Sequence, residues 1–173
     1  MADGDAADDD RPVAGFFGKL PGSGDFVERG LPPAFRRQWD RWLTTHVAPR
    51  ARAGARFPQG GLRFKLVSGG ASAGGVIVPS HDSAGRVFPL SLLLIAEGGL
   101  ASEAIDRWCD AALIEFDPAM DPDALWLALD GVAAPELAGK ATTACLYLWS
   151  AGRRPVRFGD GTPLADLLPD PSG

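Results

Sequence analysis

The chain has 173 residues, 46% of them hydrophobic and 23% charged, the composition of one globular domain with an ordinary core. Its formal charge of -5 is concentrated in Asp3, Asp5, Asp8, Asp9 and Asp10, leaving 17 acidic against 17 basic residues elsewhere. A neutral body with two histidines and two cysteines excludes a nucleic-acid-binding face, a polybasic membrane patch, a disulfide framework and a His-rich or Cys-rich metal site.

Residues 1–12 are read as a disordered acidic tail, followed by a single domain over 13–168 and a flexible tail over 169–173. No basic start followed by an apolar run marks a signal peptide, and no stretch approaches the ~18 apolar residues of a membrane span, so the expected location is cytoplasmic without membrane insertion.

Val13 to Leu20 reads as a first strand, ended by Pro21 and followed by the loop Pro21-Gly22-Ser23-Gly24-Asp25. Pro32-Pro33 opens a helix whose Phe35, Trp39, Trp42, Leu43, His46 and Val47 share one face, and Pro49 is expected to stop it. After an irregular basic connection over 50–61, Leu62 to Val67 is a strand and Ser68 to Gly75 a flexible, glycine-rich stretch. Val76 to Val78 and Val87 to Ile95 then form a hairpin around Pro79-Ser80-His81-Asp82-Ser83-Ala84-Gly85, in which Asp82 bonds backbone N–H groups ahead of it.

Ser102 is placed as the cap of an amphipathic helix carrying Ile105, Trp108, Cys109, Ala112, Leu113 and Phe116. Asp121-Pro122 opens a shorter helix with Leu125, Trp126 and Leu129, ended by Gly131. Ala144 to Trp149 is another buried strand; a weak strand at Val156 to Phe158, a turn at Asp160-Gly161 and a short helix around Leu164, Leu167 and Leu168 complete the chain. The expected fold is α/β of the α+β kind: a mixed, largely antiparallel sheet flanked by helices in a layered sandwich.

The chemistry-bearing residue types fail their motifs. Gly22-Ser23-Gly24 resembles a phosphate-cradling turn, but Gly18-Lys19 is followed by Leu20 where such a loop needs Ser or Thr, and Val27 stands where a dinucleotide fingerprint needs its third glycine. Ser80-His81-Asp82-Ser83 gathers triad residue types, but neighbours in one turn cannot orient one another. His46 lies on an apolar helix face, and Gly159-Asp160-Gly161 reads as a turn rather than a metal loop. The sequence therefore points to no catalytic residue, no cofactor and no metal. Trp39, Trp42, Trp108, Trp126 and Trp149 read as mostly core, with any exposed one marking an interface.

Read together, Gly18-Lys19-Leu20-Pro21, Gly24-Asp25-Phe26, Leu31-Pro32, Trp39-Asp40, Pro79-Ser80, Asp82, Gly85-Arg86 and Phe88-Pro89-Leu90 resemble the TagF (ImpM) family of type VI secretion accessory proteins. The resemblance implies a non-enzymatic cytoplasmic protein that represses assembly of the apparatus after translation by binding a component such as the forkhead-associated scaffold Fha. The alternatives are a structural component of the apparatus and a small hydrolase using Ser80, His81 or Asp25. The motif residues Gly18, Lys19, Gly24, Asp25, Phe26, Trp39, Asp40, Ser80, Asp82, Gly85, Arg86 and Pro89 are expected to serve partner binding or structure, with Asp25 and Arg86 paired across two loops.

Overall fold

The computed structural model describes residues 11–141, 143–159 and 164–171. Most of the acidic segment, the Asp160-Gly161 turn and the last two residues lie outside that set.

Seven strands form one sheet in the order β2-β1-β5-β4-β3-β6-β7: β1 (Val13–Gly18), β2 (Val27–Arg29), β3 (Leu62–Ser68), β4 (Ala71–Val78), β5 (Leu90–Ala96), β6 (Cys145–Ser150) and β7 (Val156–Arg157). Every pairing among them is antiparallel. The central strands are covered on both sides, which is why β5 reads as an unbroken apolar run. Leu90, Leu92 and Leu94 enter one core with α3 (Ser102–Glu115) and α4 (Pro122–Asp130). Leu93 enters the other, beneath α1 (Pro33–Trp42), α2 (Ala48–Arg52) and α5 (Leu164–Leu167). The α+β sandwich expected from the sequence is therefore the observed one.

Three local readings need correction. Pro49 does not stop the helix. The chain widens into a π-helical turn over Leu43–Val47, in which the Ala48 N–H reaches back to the Leu43 carbonyl, and Pro49 then sits in the first turn of α2, where a missing N–H costs nothing.

The glycine-rich stretch is not a flexible link: Gly69 and Gly70 make the tight turn between β3 and β4, and Ala71 to Gly75 already belong to β4. Its small residues are required by what passes over them. A Cβ on Gly74 would run into Ile105 of α3, and one on Gly75 would run into the backbone of Leu92 and Leu93 in β5.

Ser102 does not cap α3. Ala101 holds the N-cap position, and the first turn receives no side-chain hydrogen bond. Asp121, by contrast, caps α4 as expected, its carboxylate accepting from the Ala124 N–H at 2.8 Å.

A buried arginine ties α3 to the sheet. Arg63, 1% exposed on β3, places its guanidinium 3.0 Å from Asp106 and 2.7 Å from Asp110, while the Trp149 indole N–H donates to Asp106 at 3.0 Å. At the C-terminal end, the Arg56 N–H donates to the Pro169 carbonyl at 3.1 Å, and Arg50 lies 3.9 Å from Asp170.

Candidate functional site

Strand β1 ends at Gly18, whose φ of +144° and close approach to the Pro89 carbonyl and Leu90 exclude a side chain. The chain then turns inward, so that Lys19 is only 7% exposed and Leu20 is fully buried. An ammonium at that depth requires a counter-charge. Asp82, itself fully buried in the loop between β4 and β5, supplies it at 2.9 Å.

The Asp82 carboxylate organises both loops. One oxygen accepts from the backbone N–H groups of Ala84 at 3.0 Å and Arg86 at 2.9 Å, the turn-closing role expected from the sequence. The other accepts from Lys19 at 2.9 Å and from the Arg86 guanidinium at 2.7 Å. Four donors occupy the acceptor sites of an ionised carboxylate. The Lys19 hydrogen bond, helped by the Arg86 and Ala84 N–H groups and the guanidinium, outweighs burial and holds Asp82 well below the usual carboxylate range.

Further links fasten the loops at their rims. Arg86 donates to the Gly24 carbonyl at 2.7 Å, the Ser80 hydroxyl to the Lys19 carbonyl at 2.6 Å, and the Ser83 N–H to the Ser23 carbonyl at 2.9 Å. Gly85, at φ +79°, makes the tight return in the second loop. Phe26 stacks on Phe17 at 5.8 Å and meets Phe88 edge-on at 4.8 Å, with the Lys19 ammonium 5.0 Å from its centroid.

The structure thus gathers Gly18, Lys19, Gly24, Asp25, Phe26, Ser80, Asp82, Gly85, Arg86 and Pro89 at one end of the sheet, though not with the expected pairing. Arg86 binds Asp82 and the Gly24 carbonyl, and the Asp25 carboxylate accepts from its own neighbour, the Phe26 N–H, at 2.7 Å. Asp82 lies four residues from Arg86 and already fills the guanidinium's Nε, so Asp25 is left to shape its own turn. Lys19 was marked only as a motif residue; its pairing with Asp82, 63 residues away, carried no local sequence signal.

Trp39 and Asp40 lie elsewhere. Trp39 is buried beneath α1, donating to the Ser91 hydroxyl at 2.9 Å, and Asp40 accepts from Thr44 at 3.1 Å on the outer face of the helix. His46 packs against Trp42 and Phe158. Among the five tryptophans Trp126 is the exposed one, at 42%.

The triad residue types do not face one another. Ser80 donates to a backbone carbonyl, and the Nδ1 of His81 lies 2.9 Å from the Asp82 carbonyl rather than from its carboxylate. Among the described residues, no group of His, Cys, Asp and Glu could hold a metal ion, and no helix is long and apolar enough to cross a membrane.

What reaches the surface is a fixed patch. Phe26 is 45% and Val87 36% exposed, and the Arg86 side chain stands 62% open while its Nε is held. Arg36 of α1 borders the patch, 5.8 Å from the Phe17 ring and ion-paired with Glu28 at 2.8 Å.

Fold and site together define a layered α/β/α domain whose two motif-bearing loops are cross-linked through one saturated carboxylate. The model of the TagF N-terminal domain family, type VI secretion system-associated, matches residues 15–129, about two thirds of the chain, and the chain belongs to that family. Among solved structures it is similar to PA0076 from Pseudomonas aeruginosa PAO1, with 26% identity, a TM-score of 0.61, and coverage of 90% of this chain and 91% of that one. No curated protein sequence matches at a significant level.

Proposed function

We propose that this type VI secretion-associated chain is a non-enzymatic, cytoplasmic repressor of apparatus assembly, acting after translation by binding the forkhead-associated scaffold through the patch around Phe26, Arg86 and Val87. The observation that supports this reading is the saturation of Asp82: a carboxylate with all acceptor sites filled has no capacity left to take a proton from a substrate. Its effect is to hold an aromatic ring and a guanidinium rigidly at the surface. These side-chain types dominate binding energy at protein interfaces, and ordering them in advance lowers the entropic cost of association.

Deletion and complementation in the source bacterium test the reading. Loss of a repressor raises secretion, and the wild-type chain restores control while Phe26→Ala does not; Phe26 is half-exposed, so that variant keeps its fold. Loss of a structural component would instead abolish secretion. A hydrolase would lose its activity on Ser80→Ala or His81→Ala while Phe26→Ala stayed neutral.

A further inference from the structure

A slot of about 230 Å³ opens beside the N-terminus of α3. Its floor comes from alternate residues of adjacent strands that share the α3 face: Lys65 of β3, Ser72 of β4 and Tyr147 of β6. Ala101, at the N-cap of α3, and Lys140, on the connection into β6, form its walls.

Three features of the slot are unsatisfied. The first turn of the 14-residue helix α3, whose N-cap Ala101 lines the slot, receives no side-chain cap among the described residues, which leaves the positive end of its dipole unanswered by a side chain. The Ser72 hydroxyl is buried, the residue being 2% exposed, and has no hydrogen-bond partner among the described residues. Neither Lys65 nor Lys140 forms an ion pair among the described residues, although Lys19, the only other lysine in the chain, is fully engaged. Glu103, on the first helical turn, is exposed and does not line the slot.

We infer that this slot binds a phosphoryl group. Lys65, Lys140 and the unpartnered Ser72 hydroxyl line the slot beside the uncapped N-terminus of α3, a donor set that suits a tetrahedral oxyanion, as helix N-termini bind phosphate elsewhere. The volume suits the group itself and is below the roughly 300 Å³ at which drug-sized ligand pockets begin, so a whole nucleotide would extend outside it. Exposed Lys140 at the mouth leaves room for the rest of a ligand, whether a free phosphate ester or the phosphorylated side chain of a partner. The inference is independent of the repressor reading and rests on residues outside the loop patch.

The test is a titration of the full chain at constant ionic strength, followed by two-dimensional amide NMR and thermal unfolding. Inorganic phosphate is expected to move the Ser102, Glu103 and Ala104 amide signals saturably and raise Tm, whereas sodium chloride does not. Lys65→Met and Lys140→Met, which keep the aliphatic stem, should each weaken phosphate about tenfold, the loss of one charge-assisted hydrogen bond. Ser72→Ala should weaken it while leaving Tm without phosphate unchanged or higher, because the buried hydroxyl has no partner to lose. A parallel titration with a phosphoserine peptide separates the sources: tighter binding than inorganic phosphate points to a modified partner, and equal or weaker binding to a free phosphate ester. Absence of a saturable shift with either probe, or shifts unaltered in both lysine variants, would overturn the inference.

Discussion

Two polar clusters of this domain stand at different ends of the sheet and are built on opposite terms. Around Asp82 every charge is answered: four donors meet one carboxylate, and three further hydrogen bonds stitch the same loops together. In the slot beside the N-terminus of α3, Lys65 and Lys140 form no ion pair and the buried Ser72 hydroxyl has no partner among the described residues, and the helix carries no side-chain cap. A saturated cluster fixes geometry and has no bonding capacity to spare, whereas an unsatisfied one gains free energy when a complementary ligand arrives. Polar residues that look equally noteworthy in sequence thus divide into those that build a surface and those that can receive a group.

The largest expected effect is at the saturated end. Asp82→Ala strands the buried Lys19 ammonium and frees both loops, which should lower Tm by on the order of ten degrees by thermal unfolding. A change of one or two degrees would mean the cluster is decorative.

Acid should act on the same carboxylate. Its folded pKa lies below the unfolded value of about 3.9, so its contribution is fully present above that value and fades as pH falls through the lower, folded one. Unfolding measured from pH 6 to pH 2 should therefore show a loss beginning at about pH 4, and Asp82→Asn should flatten that part of the profile. Identical acid limbs in the two proteins would break the assignment.

Two serines sharpen the contrast at smaller scale. Ser80→Ala removes the 2.6 Å bond to the Lys19 carbonyl and should cost about 1 kcal/mol, whereas Ser72→Ala removes a hydroxyl without a partner and should cost nothing. Denaturant titration of both variants compares them directly.

The smallest effect concerns thiol access. Burial pushes the Cys109 thiol up to about 12, while Cys145 is half-buried at the slot. A thiol-specific reagent should label one cysteine per folded chain, Cys145, and Cys109 only after denaturation. Rapid labelling of both would contradict the burial of Cys109.

The same division explains what the sequence could reveal. Periodicity sufficed for α3, whose Ile105, Trp108, Cys109 and Ala112 are all buried, and side-chain chemistry sufficed for the Asp121 cap, because both signals are local. The motif residues of the two loops could be marked by resemblance, and Asp82 could be read as closing its turn. Its ion pair with Lys19 could not, because it depends on β1 and β5 lying side by side. The first part of β4, Ala71 to Gly75, was hidden for a related reason: Gly74 and Gly75 look like a flexible link until Ile105 and the Leu92 backbone are seen to occupy the space where side chains would be. The slot is less legible still. Lys65, Ser72 and Lys140 converge only after β3, β4 and the connection into β6 are in register, and the missing cap on α3 was masked by a serine one residue too late to provide it.

The most direct test of the functional account is calorimetric titration of the forkhead-associated scaffold into the full chain, repeated with Phe26→Ala and Lys65→Met. The account predicts saturable binding, weakened at least about tenfold by Phe26→Ala, as for an interface anchor, and unchanged by Lys65→Met. No binding, or binding indifferent to Phe26, would contradict it.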